Sequence, residues 1–145
     1  MKDTRIAYDH DWRKQHWKSL EAAYRRSPYF EYFEDELAEI YSRQPVFLID
    51  LNLQIHEFVE HALGWSIPFT TSAEYEEHPN ATDMRSTISP TQSPDVKLSE
   101  LRYHQVFEER HGFIPNLSIL DLLFNEGPST GGLIRRLRDL PVQST

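Results

Sequence analysis

Residues 116–128 read NLSILDLLFNEGP, and six of the eight positions from 117 to 124 are large and apolar. In so polar a chain, a run apolar nearly all round its helical circumference predicts a buried helix. Its ends are marked. Ser118 with Asp121 has the spacing of a capping box in its Asp variant, and Leu117 with Leu122 that of a hydrophobic staple. Gly127-Pro128 then closes the helix. Capping covers Ser118 and Asp121. Asn125, at the far end, is left open between a structural cap and a ligand contact.

Working outward, further helices follow from the apolar period. Trp12, His16/Trp17, Leu20 and Ala23/Tyr24 recur at helical spacing over 11–25, with Asp9 or Asp11 as the cap. Ser27-Pro28 reads as an N-cap followed by proline in the first turn of the next helix. In that helix Glu31, Glu34, Asp35 and Glu36 lie early, where the dipole favours them. Over 47–63, Leu48, Leu51, Ile55, Phe58, Val59 and Ala62 form a buried stripe, and Gly64 supplies a left-handed stop. A last helix over 130–140 carries Arg135, Arg136 and Arg138 toward its negative pole.

Three segments read as strands. Residues 4–8 and 66–75 have suitable content, the latter β-branched and aromatic, and YHQVF at 103–107 alternates. A proline- and asparagine-containing loop spans 78–100. The fold class expected is therefore α/β: a helix-rich single domain over 1–145 with a small sheet, an incomplete version of a larger α/β fold. An all-α bundle is the alternative.

The chain has 145 residues, 39% of them hydrophobic and 12% aromatic, which suits a packed globule. Its net charge of −8 argues against nucleic acid as a partner. No apolar run approaches the ~18–20 residues of a membrane span, and MKDTRIAYDHDW lacks the core of a signal peptide. A soluble cytoplasmic protein is expected. Without cysteine there is no thiolate nucleophile or Cys-based zinc site.

Several site motifs fail on spacing. His56 and His61 flank an HEFVEH run but are five residues apart, about 140° around a helix, and cannot chelate one ion. No metal site is expected. GPSTGG at 127–132 has the glycine spacing of a phosphate loop, but Leu133 stands where lysine is needed. His16 reads first as a hydrogen-bonded core histidine and second as a catalytic base. Asn52 sits at the edge of an apolar stripe, where it serves either packing or a ligand.

HWKSLEAAYRRSPYFEYF at 16–33, FLIDLN at 47–52, YHQVF at 103–107 and GFIPNLSILDLLFNEGP at 112–128 together resemble the WbqC-like family. The last stretch carries the most weight. The resemblance implies an association with O-antigen or other surface-polysaccharide assembly. It implies an enzyme, a transferase among the possibilities, acting on a nucleotide-linked or lipid-linked sugar intermediate. His16 would be the acid/base, with Asn52, Arg85, Tyr103, Gln105 and Asn125 contacting the substrate. Arg85, in DMRSTISPTQ at 83–92, which is similar to an Asp-x-Arg loop of some members, would hold an anion, although Thr91 replaces the lysine that often follows that loop's proline. The cofactor is left unknown by the sequence. The resemblance also implies that a family segment ahead of the His-Trp helix is missing here. A non-catalytic interaction module, or an inactive truncated fragment, is the competing reading.

Overall fold

The computed structural model describes residues 3–71 and 101–139. Three long helices lead: α1 (Trp12–Tyr24), α2 (Phe30–Ser42) and α3 (Leu48–Leu63). The short α4 (Glu108–His111), α5 (Ile119–Glu126), a 3-10 turn (Gly127–Ser129) and α6 (Thr130–Asp139) follow. The core is built around α5. Phe30, Phe33, Leu37 and Ile40 of α2 meet Phe58 of α3 and Leu123 and Phe124 of α5, all buried. The Phe124 ring lies 5.0 Å from that of Tyr24 and 5.2 Å from that of Phe30, centroid to centroid. Burying each such side chain contributes on the order of 1.5–3 kcal/mol. From Asp121 to Asn125 every residue of α5 is buried, as its nearly all-round apolar pattern requires.

The fold is helical, and the expected sheet is absent: among the described residues no strand forms. Residues 4–8 make one isolated antiparallel bridge, Arg5 with Phe47. Residues 66–71 run without regular structure, and 72–75 lie outside the described residues. The 103–107 segment shows why alternation misled. Its partner is a side-chain pairing: the Gln105 carboxamide donates to the Ile114 carbonyl at 2.7 Å and accepts from the Ile114 N–H at 2.9 Å. One amide side chain supplies what a neighbouring strand would have supplied.

Two cap assignments also change. Ser27 does not cap α2; its hydroxyl donates to the Tyr24 carbonyl at 2.6 Å, closing α1. The α2 start is held from elsewhere, by the Tyr29 N–H donating to the Phe124 carbonyl at 2.9 Å. Ser118 does cap α5, accepting from the Leu120 N–H at 3.3 Å. Asp121 does not reach back to complete a capping box and turns inward instead. At the end of α3, Gly64 adopts φ 62° and ψ 34°, the left-handed stop expected.

Candidate functional site

The N-terminal segment pairs with residues 46–48, between α2 and the first turn of α3, and forms one wall of a cavity of about 410 Å³. Four tethers hold it. The Ile6 N–H donates to Val46 O at 3.0 Å, and the Leu48 N–H donates to Thr4 O at 2.9 Å. The Tyr8 hydroxyl donates to Pro45 O at 2.8 Å, and the Trp12 indole N–H to Ala7 O at 3.0 Å. Arg13 stacks over the Tyr8 ring at 5.2 Å while donating to Tyr41 O at 3.3 Å and Ser42 O at 3.4 Å. It thereby satisfies carbonyls that the end of α2 leaves free.

Facing this strap are Trp12 and His16 of α1, Tyr41 of α2, and Leu48, Leu51 and Ile55 of α3. The i, i+4 spacing puts Trp12 and His16 on one helical face, and their rings meet edge-on at 5.2 Å. Tyr41 meets His16 at 6.4 Å, also edge-on. Burial raises the pKa of the Tyr41 phenol, so it stays a neutral donor. His16 is exposed on this wall and is no core histidine. Arg5 lines the cavity while remaining exposed, its guanidinium 5.8 Å from the Phe47 ring centroid. An aromatic and aliphatic wall carrying an imidazole and a guanidinium suits a ligand with an apolar body and an anionic group.

Tyr103, Gln105 and Asn125 come together elsewhere, around Asp121. The Tyr103 hydroxyl donates to Asp121 Oδ2 at 2.6 Å and accepts from Gln105 Nε2 at 3.1 Å. Asn125 Nδ2 donates to the Asp121 carbonyl at 2.7 Å, and its Oδ1 is buried without a partner among the described residues. Burial first, and then the Asp121 charge, push the Tyr24 phenol up to about 12. Burial and the Asp121 hydrogen bond raise Tyr103 well above the usual tyrosine range. This cluster binds the 101–116 segment to α5. It shares no lining residue with the His16 cavity, although Tyr103 and Ser118 border a separate hollow of about 230 Å³.

Of the residues expected in one site, then, His16 falls in the cavity and Tyr103, Gln105 and Asn125 fall in the buried cluster. Asn52 is exposed on α3 and does not line the cavity. Arg85 lies outside the described residues. The sequence reading passed over Arg5, Trp12 and Tyr41 as site residues. The Trp12–His16 spacing could have found one of them. Nothing local marks Tyr41, whose place depends on how α2 packs on α1.

His56 and His61 have different carboxylate partners, Glu60 at 3.5 Å and Glu36 at 3.2 Å. Among the described residues no three His, Asp or Glu side chains gather closely enough to hold a metal ion. None of the described helices is long and apolar enough to cross a membrane.

The sequence model of the WbqC-like protein family matches residues 1–93. Every residue lining the His16 cavity falls inside that span. The 103–107 and 112–128 stretches, which carried much of the resemblance, fall outside it. Uncharacterized protein Rv1507c of Mycobacterium tuberculosis (strain ATCC 25618 / H37Rv) is 28% identical over 153 aligned positions, covering 88% of this chain. The chain spans 66% of that relative, just under two thirds of its length. No solved structure matches.

Proposed function

The chain belongs to the WbqC-like protein family, and on that premise we propose that it acts on a sugar intermediate of O-antigen or other surface-polysaccharide assembly. The observation that carries the reading is the cavity within the family-matched span, walled by Trp12, His16 and Tyr41 with Arg5 exposed beside them. The C–H faces of a sugar ring pack on aromatic side chains, and such rings add buried area at small entropic cost. His16 is the acid/base of the proposal, being exposed to a ligand and set among rings that limit its orientation. Arg5 holds the anionic group that activates the sugar. Asn52 contacts the sugar only if the ligand extends past the cavity along α3. Gln105 and Asn125 hold the scaffold; their amides already engage Ile114 and Asp121.

A thermal-shift series with nucleotide sugars and glycosyl phosphates tests the reading, because a ligand that binds only the folded state raises the melting temperature. Binding by the wild type, retained in His16→Gln while turnover is lost, supports an acid/base at that position. No shift with any of these compounds favours a non-catalytic interaction module instead. That second reading has one specific observation behind it: Tyr32 presents its ring 72% exposed on the outer face of α2.

A further inference from the structure

We infer that the His16 cavity takes an apolar chain esterified to phosphate, so that the sugar substrate is lipid-linked and not nucleotide-linked. This rests on the proposed sugar reading and narrows it. The wall decides the point. Ile6, Ala7, Leu48, Leu51 and Ile55 are aliphatic, and the polar side chains among the lining residues are Arg5, His16 and Tyr41. The Ala7 carbonyl is already taken by the Trp12 indole. A nucleotide brings ribose hydroxyls and base edges that need several partners when buried, and leaving them unpaired opposes binding. A hydrocarbon chain needs none and gains by leaving water.

Charge places the other end of the ligand. The chain carries a net charge of −8, yet the fixed charge on this wall is the cation Arg5. Arg5 takes part in none of the ion pairs found among the described residues. Its guanidinium, braced on Phe47 beside the aliphatic wall, matches a phosphate in charge and in bidentate geometry. A phosphate ester held there puts its chain on Leu48, Leu51 and Ile55 and its sugar near His16.

The test uses the full chain and four probes below any micelle concentration: octyl phosphate, octyl glucoside, glycerol phosphate and UDP-glucose. Methyl resonances of Leu48, Leu51 and Ile55 are followed by NMR. Octyl phosphate should move these methyls and bind at least about tenfold more tightly than octyl glucoside, with glycerol phosphate inert. Arg5→Gln, an exposed change that leaves the core alone, should remove that preference and keep the chain contact. Equal binding of the two octyl compounds, or octyl phosphate binding unaltered in Arg5→Gln, overturns the inference. So does movement of the same methyls by UDP-glucose alone, an outcome that leaves the sugar reading standing. If octyl phosphate binds as expected but a fifth probe, its glycosylated form, does not, the cavity still takes an alkyl phosphate, while the sugar reading and the lipid-linked sugar fall together.

Discussion

The ring of Tyr29 occupies the space that a Cβ on residue 127 would fill. A Cβ built on Gly127 would lie 2.5 Å from Tyr29 Cγ and Cδ1, closer than real carbon atoms approach. Gly127 also has φ 53° and ψ −129°, a conformation open essentially to glycine alone. Tyr29 in turn donates its N–H to Phe124 O, so the end of α5 and the start of α2 are packed as one unit.

Gly127→Ala should therefore destabilise by about 2–6 kcal/mol, backbone strain and the clash each contributing roughly 1–3. Urea unfolding measures the loss. In a Tyr29→Leu background the same substitution should cost less, because the ring clash is relieved and only the backbone strain remains. An equal cost in both backgrounds would mean that the ring is not what excludes the methyl.

The buried Asp121 cluster makes stability sensitive to alkali. Tyr24 ionises near 10.0 when unfolded and near 12 in the fold, raised by burial and then by the Asp121 charge. Between those values the folded chain holds a proton that the unfolded chain has lost, so stability falls as pH rises. The contribution is intact below about pH 10 and gone above about pH 12. Asp121→Asn keeps an acceptor for Tyr103 but removes the charge, and both phenols should then ionise at lower pH. Phenolate absorbance followed through an alkaline titration reports this directly. An unchanged titration would mean that burial alone sets these values.

The helices were legible because their stripes repeat within one segment, and α3 with its Gly64 stop is the plainest case. That no sheet forms among the described residues was not legible. Tyr103 and Gln105 do alternate, but whether an alternating segment finds a strand or a carboxamide for a partner is decided by Ile114, nine residues on. Asp121 illustrates the same limit. Its spacing from Ser118 satisfied a local rule, while a phenol eighteen residues away took its carboxylate. For the site, His16 was named from the sequence and its i, i+4 spacing could have added Trp12, whereas Arg5 and Tyr41 join them only through packing between segments.

Ser118 and Asn125 should both prove structural, a point that the sequence pattern left open for Asn125. Ser118→Ala removes a cap accepting at 3.3 Å and should cost about 0.5–1 kcal/mol. Asn125→Ala removes a buried amide whose Oδ1 has no partner among the described residues, so relief of that orphan offsets the lost bond to Asp121 O. The net change should be within about 1 kcal/mol. Neither variant should alter ligand binding in the His16 cavity, because neither residue lines it. Loss of binding in Asn125→Ala, with stability preserved, would return that residue to the site.

Trp12 joins the strap to α1 through one hydrogen bond and one ring, and these can be taken apart. Trp12→Phe keeps an aromatic ring beside His16 and Tyr8 but loses the indole N–H to Ala7 O. That bond is solvent-exposed, so global stability should fall by no more than about 0.5–1 kcal/mol. The strap should loosen far more than the core does, since short segments with few buried contacts open locally before the fold as a whole. Amide exchange separates the two levels. The Ile6 N–H, bonded to Val46 O, and the Leu48 N–H, bonded to Thr4 O, should exchange faster in the variant. The Tyr29 N–H, bonded to Phe124 O within the core, should keep its protection. If Ile6 and Leu48 exchange at wild-type rates, the Arg5–Phe47 bridge and the Tyr8 hydroxyl hold the wall of the cavity without help from Trp12.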